Sequence, residues 1–277
     1  TVTAPRFELL AGSATFRDDS TLAAEFLDAR FGTLEFETGS TLAVPQLDLL
    51  GATVSLEAGV TAALETLTQN GGTLSGAGTV SVSDAFTWNG GTQTGTGRTE
   101  IGTLATVDLS GDVFRQVFDR TIVVDAPMAL AGASELRLAG AARWFQNADL
   151  DVSGDAFLTR SGNASRFVVA EGATLRRSGG TAPRTWSTNL FVDGTLELAT
   201  GAPSVTLSGT GTHTGTLIAQ GAPITLGGVQ ELADGAVLAG VAGFTWGGSG
   251  RVRLTGTGSG VTLAAGSRAD VSDFTTV

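Results

Sequence analysis

Thr33-Leu34-Glu35-Phe36, Thr53-Val54-Ser55-Leu56 and Thr195-Leu196-Glu197-Leu198 each alternate polar and apolar residues. Each predicts a short strand with one face turned to a core. The pattern repeats along the chain. Between Asp19 and Thr96 Thr21, Thr41 and Thr61 fall in one column, and Leu34, Val54 and Leu74 in another, a period of about 20 residues. Gly32, Gly51 or Ala52, and Gly72 precede the second column. Towards the C-terminus Leu175, Leu196, Leu217 and Leu238 recur at a period of about 21 residues. There Ala202-Pro203 and Ala222-Pro223 mark equivalent corners. A fixed period of this length is the signature of a solenoid, whose repeats bury a core only by stacking.

These periods predict an all-β, single-domain parallel β-helix (a β-solenoid), right-handed, of about 13 rungs about 4.8 Å apart. The regular repeats cover 19–98 and 171–258, and 112–166 is less regular, yet no linker or composition break divides 1–277. Ser20–Arg30 reads locally as a capped amphipathic helix. Its register with Ser40–Leu50, which contains Pro45, and with Val60–Asn70 makes it a coil of the solenoid instead. Across rungs, Arg17, Glu37 and Glu57 should form one exposed row, and Arg176 should face Glu197.

Composition narrows the function classes. The 40 glycines suit corners and the many Thr and Val suit strands. A net charge of −11, with every cation an arginine, opposes nucleic-acid binding. No apolar run reaches the roughly 18 residues that a membrane-inserting helix needs, so none is expected. The absence of cysteine leaves the redox compartment open.

Candidate chemistry is sparse. Asp28 and Asp48 stand one repeat apart with Arg30 nearby, which suits either an acidic site for calcium or polysaccharide cleavage, or two solvated aspartates. Asp84, Asp112, Asp155 and Asp273 follow Ser or Gly and are expected to hydrogen-bond their own turns. The calcium-binding nonapeptide pattern is absent. His213, the only histidine, is expected on a strand surface, with no nucleophile or metal partners around it. Trp88 and Trp246 recur in Phe-Thr-Trp contexts and are expected in the core. Trp144 and Trp186 lack that context and are the candidates for stacking on a sugar. Threonine rows at Thr92–Thr96 and Thr210–Thr216 offer hydroxyl ladders of the ice-ordering kind, or ordinary strand faces. Gly76-Ala77-Gly78 and Gly256-Thr257-Gly258-Ser259-Gly260 lack the Gly-Lys-Ser/Thr of a phosphate loop. No catalytic residue, metal site or cofactor is expected.

The phrases Phe145-Gln146-Asn147-Ala148-Asp149-Leu150, Phe191-Val192-Asp193-Gly194-Thr195-Leu196 and Leu207-Ser208-Gly209-Thr210-Gly211-Thr212-His213-Thr214-Gly215 resemble the repeats of bacterial surface and secreted β-solenoids. These are the autotransporter-passenger, haemagglutinin-like and adhesin-type proteins. The resemblance spans most of the chain outside about 112–140. It implies export and an extracellular or cell-surface life as a non-enzymatic structural or adhesive segment. Its expected partners are copies of itself stacked end to end, more solenoid of the same polypeptide, or surface glycans. The alternative is a polysaccharide-binding or polysaccharide-cleaving β-helix.

Overall fold

The computed structural model describes residues 1–109, 111–247, 251–255, 261–267 and 269–271. Asp273 and the stretch Gly256-Thr257-Gly258-Ser259-Gly260 lie outside the described residues. Among the described residues every regular element is a strand, and every pairing is parallel. The chain is a parallel β-solenoid of about 12 turns, against the 13 expected.

Three strand segments and three corners make one coil. In one of them Thr41–Ala43 lies on the first face, Gln46–Leu49 on the second and Thr53–Leu56 on the third. The register expected from the repeat is explicit where Asp28 pairs with Asp48 and Leu34 with Val54. Ser20–Arg30 is no helix: Thr21–Ala29 is a strand spanning two faces, pairing with both Thr41–Ala43 and Gln46–Leu49. Thr61–Ser75 and Thr79–Thr94 each run round a whole coil without a break. The third face is divided. Its strands up to Phe157–Ser161 belong to a 28-stranded sheet, whereas Arg184–Trp186 begins a separate five-stranded one.

One outward column on the second face measures the coil. From Glu8 it passes through Asp28, Asp48 and Thr68 in even steps, then closes by one position on the way to Thr87. The steps are 21, 21 and 22 as far as Asp151, 25 to Arg176, and 21 thereafter to Ala239. The irregular stretch is therefore the same solenoid with longer corners. Eleven steps at about 4.8 Å give a rod on the order of 50 Å long.

The core is one continuous apolar file in which Leu22, Leu34, Leu47, Leu175 and Leu196 are enclosed. Phe16 stacks on Phe36 at 4.9 Å and Phe7 meets Phe16 edge-on at 6.2 Å, so aromatics fill the first coil. Corners demand glycine where backbone meets backbone: a Cβ on Gly32, at φ 95°, would lie 1.9 Å from the carbonyl oxygen of Gly12 in the coil before.

The core also holds polar groups. Arg120 is fully buried, and among the described residues no carboxylate pairs with it; carbonyls take that place. Its Nη1 donates to Gly76 and Thr94, and its Nη2 to Gly78 and Arg98. Nε donates to Thr99 Oγ1, which donates to Gln93 Oε1, while Gln93 Nε2 donates to Gln69 Oε1. All five guanidinium protons are satisfied, and burial alone brings its pKa down to about 10. Arg120→Ala should cost about 3–5 kcal/mol, because it leaves a cavity and orphaned carbonyls together. Urea denaturation should show the loss as a lower midpoint; a change under about 1 kcal/mol would contradict this account.

Candidate functional site

Asp28 and Asp48 are adjacent in register on the second face, as their spacing implies, but Asp28 is not a free carboxylate. Its side chain is only 3% exposed. Oδ2 accepts from Arg6 Nη2 at 2.8 Å and from both Nε and Nη2 of Arg30 at 2.9 Å. Arg6 in turn pairs with Glu8 and lies over the Phe26 ring, 4.7 Å from its centroid. Asp48 has its pKa raised, first by partial burial and next by the charge of Asp28, against the lowering hydrogen bond from Thr68 and the charge of Arg6. The group is an ion-paired clamp between neighbouring coils. A polymer cannot reach the enclosed Asp28, and a cation would have to displace two guanidinium groups from it. Among the described residues no three His, Cys, Asp or Glu side chains converge as metal ligands.

The two tryptophans that were candidates for stacking on a sugar are in the core. Trp144 and Trp186 are both 0% exposed. Trp144 stacks on Phe167 at 5.9 Å and 7°, and its Nε1 donates to Gln146 Oε1. Trp186 Nε1 donates to the Ala156 carbonyl. The strand Arg143–Gln146 turns Trp144 and Gln146 inward and leaves Arg143 and Phe145 outside, and Arg184–Trp186 turns Trp186 inward. Trp88 is core as expected, beside Phe86 and donating to the Gly90 carbonyl, whereas Trp246 is half-buried.

His213 is also inside rather than on the surface. The strand Thr210–His213 points Gly211 and His213 inward and Thr210 and Thr212 outward. That alternation was visible in the sequence and placed His213 opposite its threonines. Gln230 Nε2 donates to the carbonyls of Gly209 and Gly227, so its Oε1 must accept from His213 Nε2 at 2.8 Å. The neutral tautomer is thereby fixed. Burial lowers the imidazole pKa and outweighs the raising effects of Gln230 and Asp193. Gly211 leaves the room for this pair, since a Cβ there would meet Gln230 Oε1 at 2.9 Å.

The corner aspartates bond forward, not to their own turns. Asp112 Oδ1 accepts from the Ala133 N–H one coil on, and Asp155 from the N–H groups of Thr181 and Ala182. Asp119 and Asp149 do the same with Ala141 and Thr174. Corners stacked one rung apart bring a free N–H of the next turn within reach of each carboxylate. At Asp84 it is the main-chain carbonyl that accepts, from the Thr106 hydroxyl. Asp155 also meets the buried Arg177 at 3.3 Å and Arg184 at 3.4 Å, where the separate sheet of the third face begins. The Thr181 hydroxyl and these N–H groups hold its pKa down at about 2. Arg176 pairs with Glu197 at 3.7 Å, as the repeat predicts.

The remaining candidate is an outer surface. On the first face an apolar outward column runs through Val123, Phe145, Val168 and Phe191. Arg143 and Arg166 flank it on one side, and Asp125, Asn147 and Asp193 stand at the other end of the same strands. A depression of about 580 Å³ lies over Phe145, Val168 and Ala170, with Glu171, Asp193 and Thr214 at its rim. Nearer the N-terminus the same column carries Ala43, Ala63 and Ser81, whose small side chains leave a trough of about 850 Å³. Sequence reasoning missed this surface because it weighed the tryptophans and not the phenylalanines beside them. No family model matches the chain, and no curated protein or solved structure is significantly similar to it.

Two pH effects follow from these pKa shifts. His213 has a folded pKa below its ordinary 6.5, so its neutral burial stabilises fully above that pH and less as the pH falls. Asp155, held at about 2 from an ordinary 3.8, stabilises above 3.8 and loses that contribution as the pH falls towards 2. Melting temperatures should therefore fall from pH 7 to 5 in the native chain and by less in His213→Gln. Asp155→Asn should flatten the further fall below pH 4. Profiles identical to the native one would refute both assignments.

Proposed function

We propose that the chain is a non-enzymatic, rod-like segment of a secreted or cell-surface protein, serving as stalk, adhesive spacer or filament subunit. One observation carries the reading: parallel strand pairing passes from coil to coil along about 12 coils despite local register shifts, and the buried polar groups hold adjacent coils together. A rod is useful for its length and stiffness, and neither needs a pocket. The resemblance to bacterial surface and secreted solenoids supports export. The polysaccharide-cleaving alternative loses its motive, because Asp28 is enclosed by Arg6 and Arg30.

The first coil suggests how such rods extend. The carbonyl of Leu9 bonds to the next coil, so alternation turns the N–H and C=O groups of Ala4, Arg6 and Glu8 towards the open edge of Val2–Leu9. That edge suits one more parallel strand, from more solenoid of the same polypeptide or from a second copy.

Negative-stain electron microscopy should show stiff rods about 50 Å long or end-to-end multiples of that length. Round particles would overturn the reading. Sedimentation at rising concentration should reveal end-to-end association that Ala4→Pro, which deletes an edge N–H, abolishes while the melting temperature stays within a few degrees of native.

A further inference from the structure

We propose that the first face between Val123 and Phe191 is a docking strip for an extended, neutral β-1,4-linked glycan lying along the rod axis. The inference goes beyond the rod reading and stands on the arrangement of three adjacent columns. The central column is apolar, with Phe145, Val168 and Phe191 half-buried on successive coils. The column before it supplies the guanidinium groups of Arg143 and Arg166. At the far end of the strands, Asn147 donates to Asp125 at 2.7 Å and Thr214 donates to Asp193 at 2.7 Å. An apolar centre with donors on one side and acceptors on the other matches a pyranose chain. Such a chain carries C–H faces on its rings and equatorial hydroxyls along its edges.

The spacing selects the linkage. Phe145 pairs with Val168, and Val168 with Phe191, so the two phenyl rings stand two rungs apart, about 9.6 Å. That is close to the disaccharide repeat of a β-1,4-linked chain, in which every second ring presents the same face. α-1,4-Linked chains coil and cannot keep this repeat along a straight axis. Arg166 lies over Phe191 with its Cζ 5.0 Å from the ring centroid, so at this rung the guanidinium backed by the ring is the platform. The other ring, Phe145, lines the depression together with Glu171 and Asp193.

Charge selects neutrality. Glu171, Asp193 and Asp125 edge the strip, and the chain carries −11 overall, so a polyanionic glycan would be repelled. The apolar face with carboxylate acceptors is the arrangement that hydroxyl-rich, uncharged sugars satisfy.

Isothermal titration of the full chain with cellohexaose, chitohexaose and maltohexaose tests the proposal. At least one of the β-linked hexasaccharides should bind, and the α-linked maltohexaose should not. Phe145→Ala should weaken binding about tenfold, which corresponds to about 1.4 kcal/mol. Asp193→Asn, which leaves the packing of the face untouched, should weaken it several-fold, and melting curves of both variants should stay cooperative. Absence of binding by both β-linked probes overturns the proposal, as does equal binding of maltohexaose. Binding that is indifferent to both substitutions also overturns it. Rods seen by microscopy alongside no glycan binding would sink this inference and leave the rod reading standing.

Discussion

The rest of the structure depends on the parallel backbone ladder between coils. Once strand is bonded to strand at a spacing of about 4.8 Å, every residue stands beside the residue one period away, and side chains compete for space in columns. That constraint explains corner glycines such as Gly32, whose Cβ would run into the backbone of Gly12 one coil before. It explains why like residues recur, because Asp28 must tolerate Asp48 and Phe16 must stack on Phe36. It also explains how insertions are absorbed: the long step from Asp151 to Arg176 is taken up at the corners and leaves the second-face ladder intact.

A core that is one-dimensional has no centre in which to hide a charge, and this chain meets the difficulty with backbone. Arg120 is held by carbonyls of two neighbouring coils, and Arg177 by the carbonyls of Gly179, Ala182 and Ser204 together with Asp155. Carbonyls that point along the rod axis at the corners are natural acceptors for a planar five-donor fork. Lysine, with three donors on a compact head, would satisfy fewer of them, and the chain contains none. These arginines sit at the corners and, at Arg177, where the third face changes sheet. They act as clips where the ladder is weakest.

Function then falls to the outside. Of the carboxylates that looked chemical, Asp28 is enclosed by Arg6 and Arg30 and Asp48 is hydrogen-bonded with Thr68, and the lone histidine is a neutral core residue. What varies without disturbing the ladder is the outward set on each face. One stretch of the first face departs from the hydroxyl and charge pattern by presenting phenylalanines between arginines and carboxylates. A rod that both spans a distance and holds a polymer along its length would use such a strip.

The sequence by itself determined the solenoid, its shorter early and longer late periods, the strand identity of Thr21–Ala29 and the inward place of Trp88. Each of these is fixed by repetition, which averages out local ambiguity such as the helix-like run Ser20–Arg30. Only the tertiary structure decided Trp144. In Arg143-Trp144-Phe145-Gln146 either alternate pair holds one aromatic and one polar residue, so the pattern is symmetric. The choice comes from the columns, where Ile122 and Phe167 enclose the indole and Gln146 finds a hydrogen-bond partner indoors. Likewise the forward bonds of Asp112 and Asp155 could not be read from their turns, because their partners lie a full coil further along the chain. Local alternation gives two faces; which one is inside, and which neighbour a corner meets, is settled by stacking.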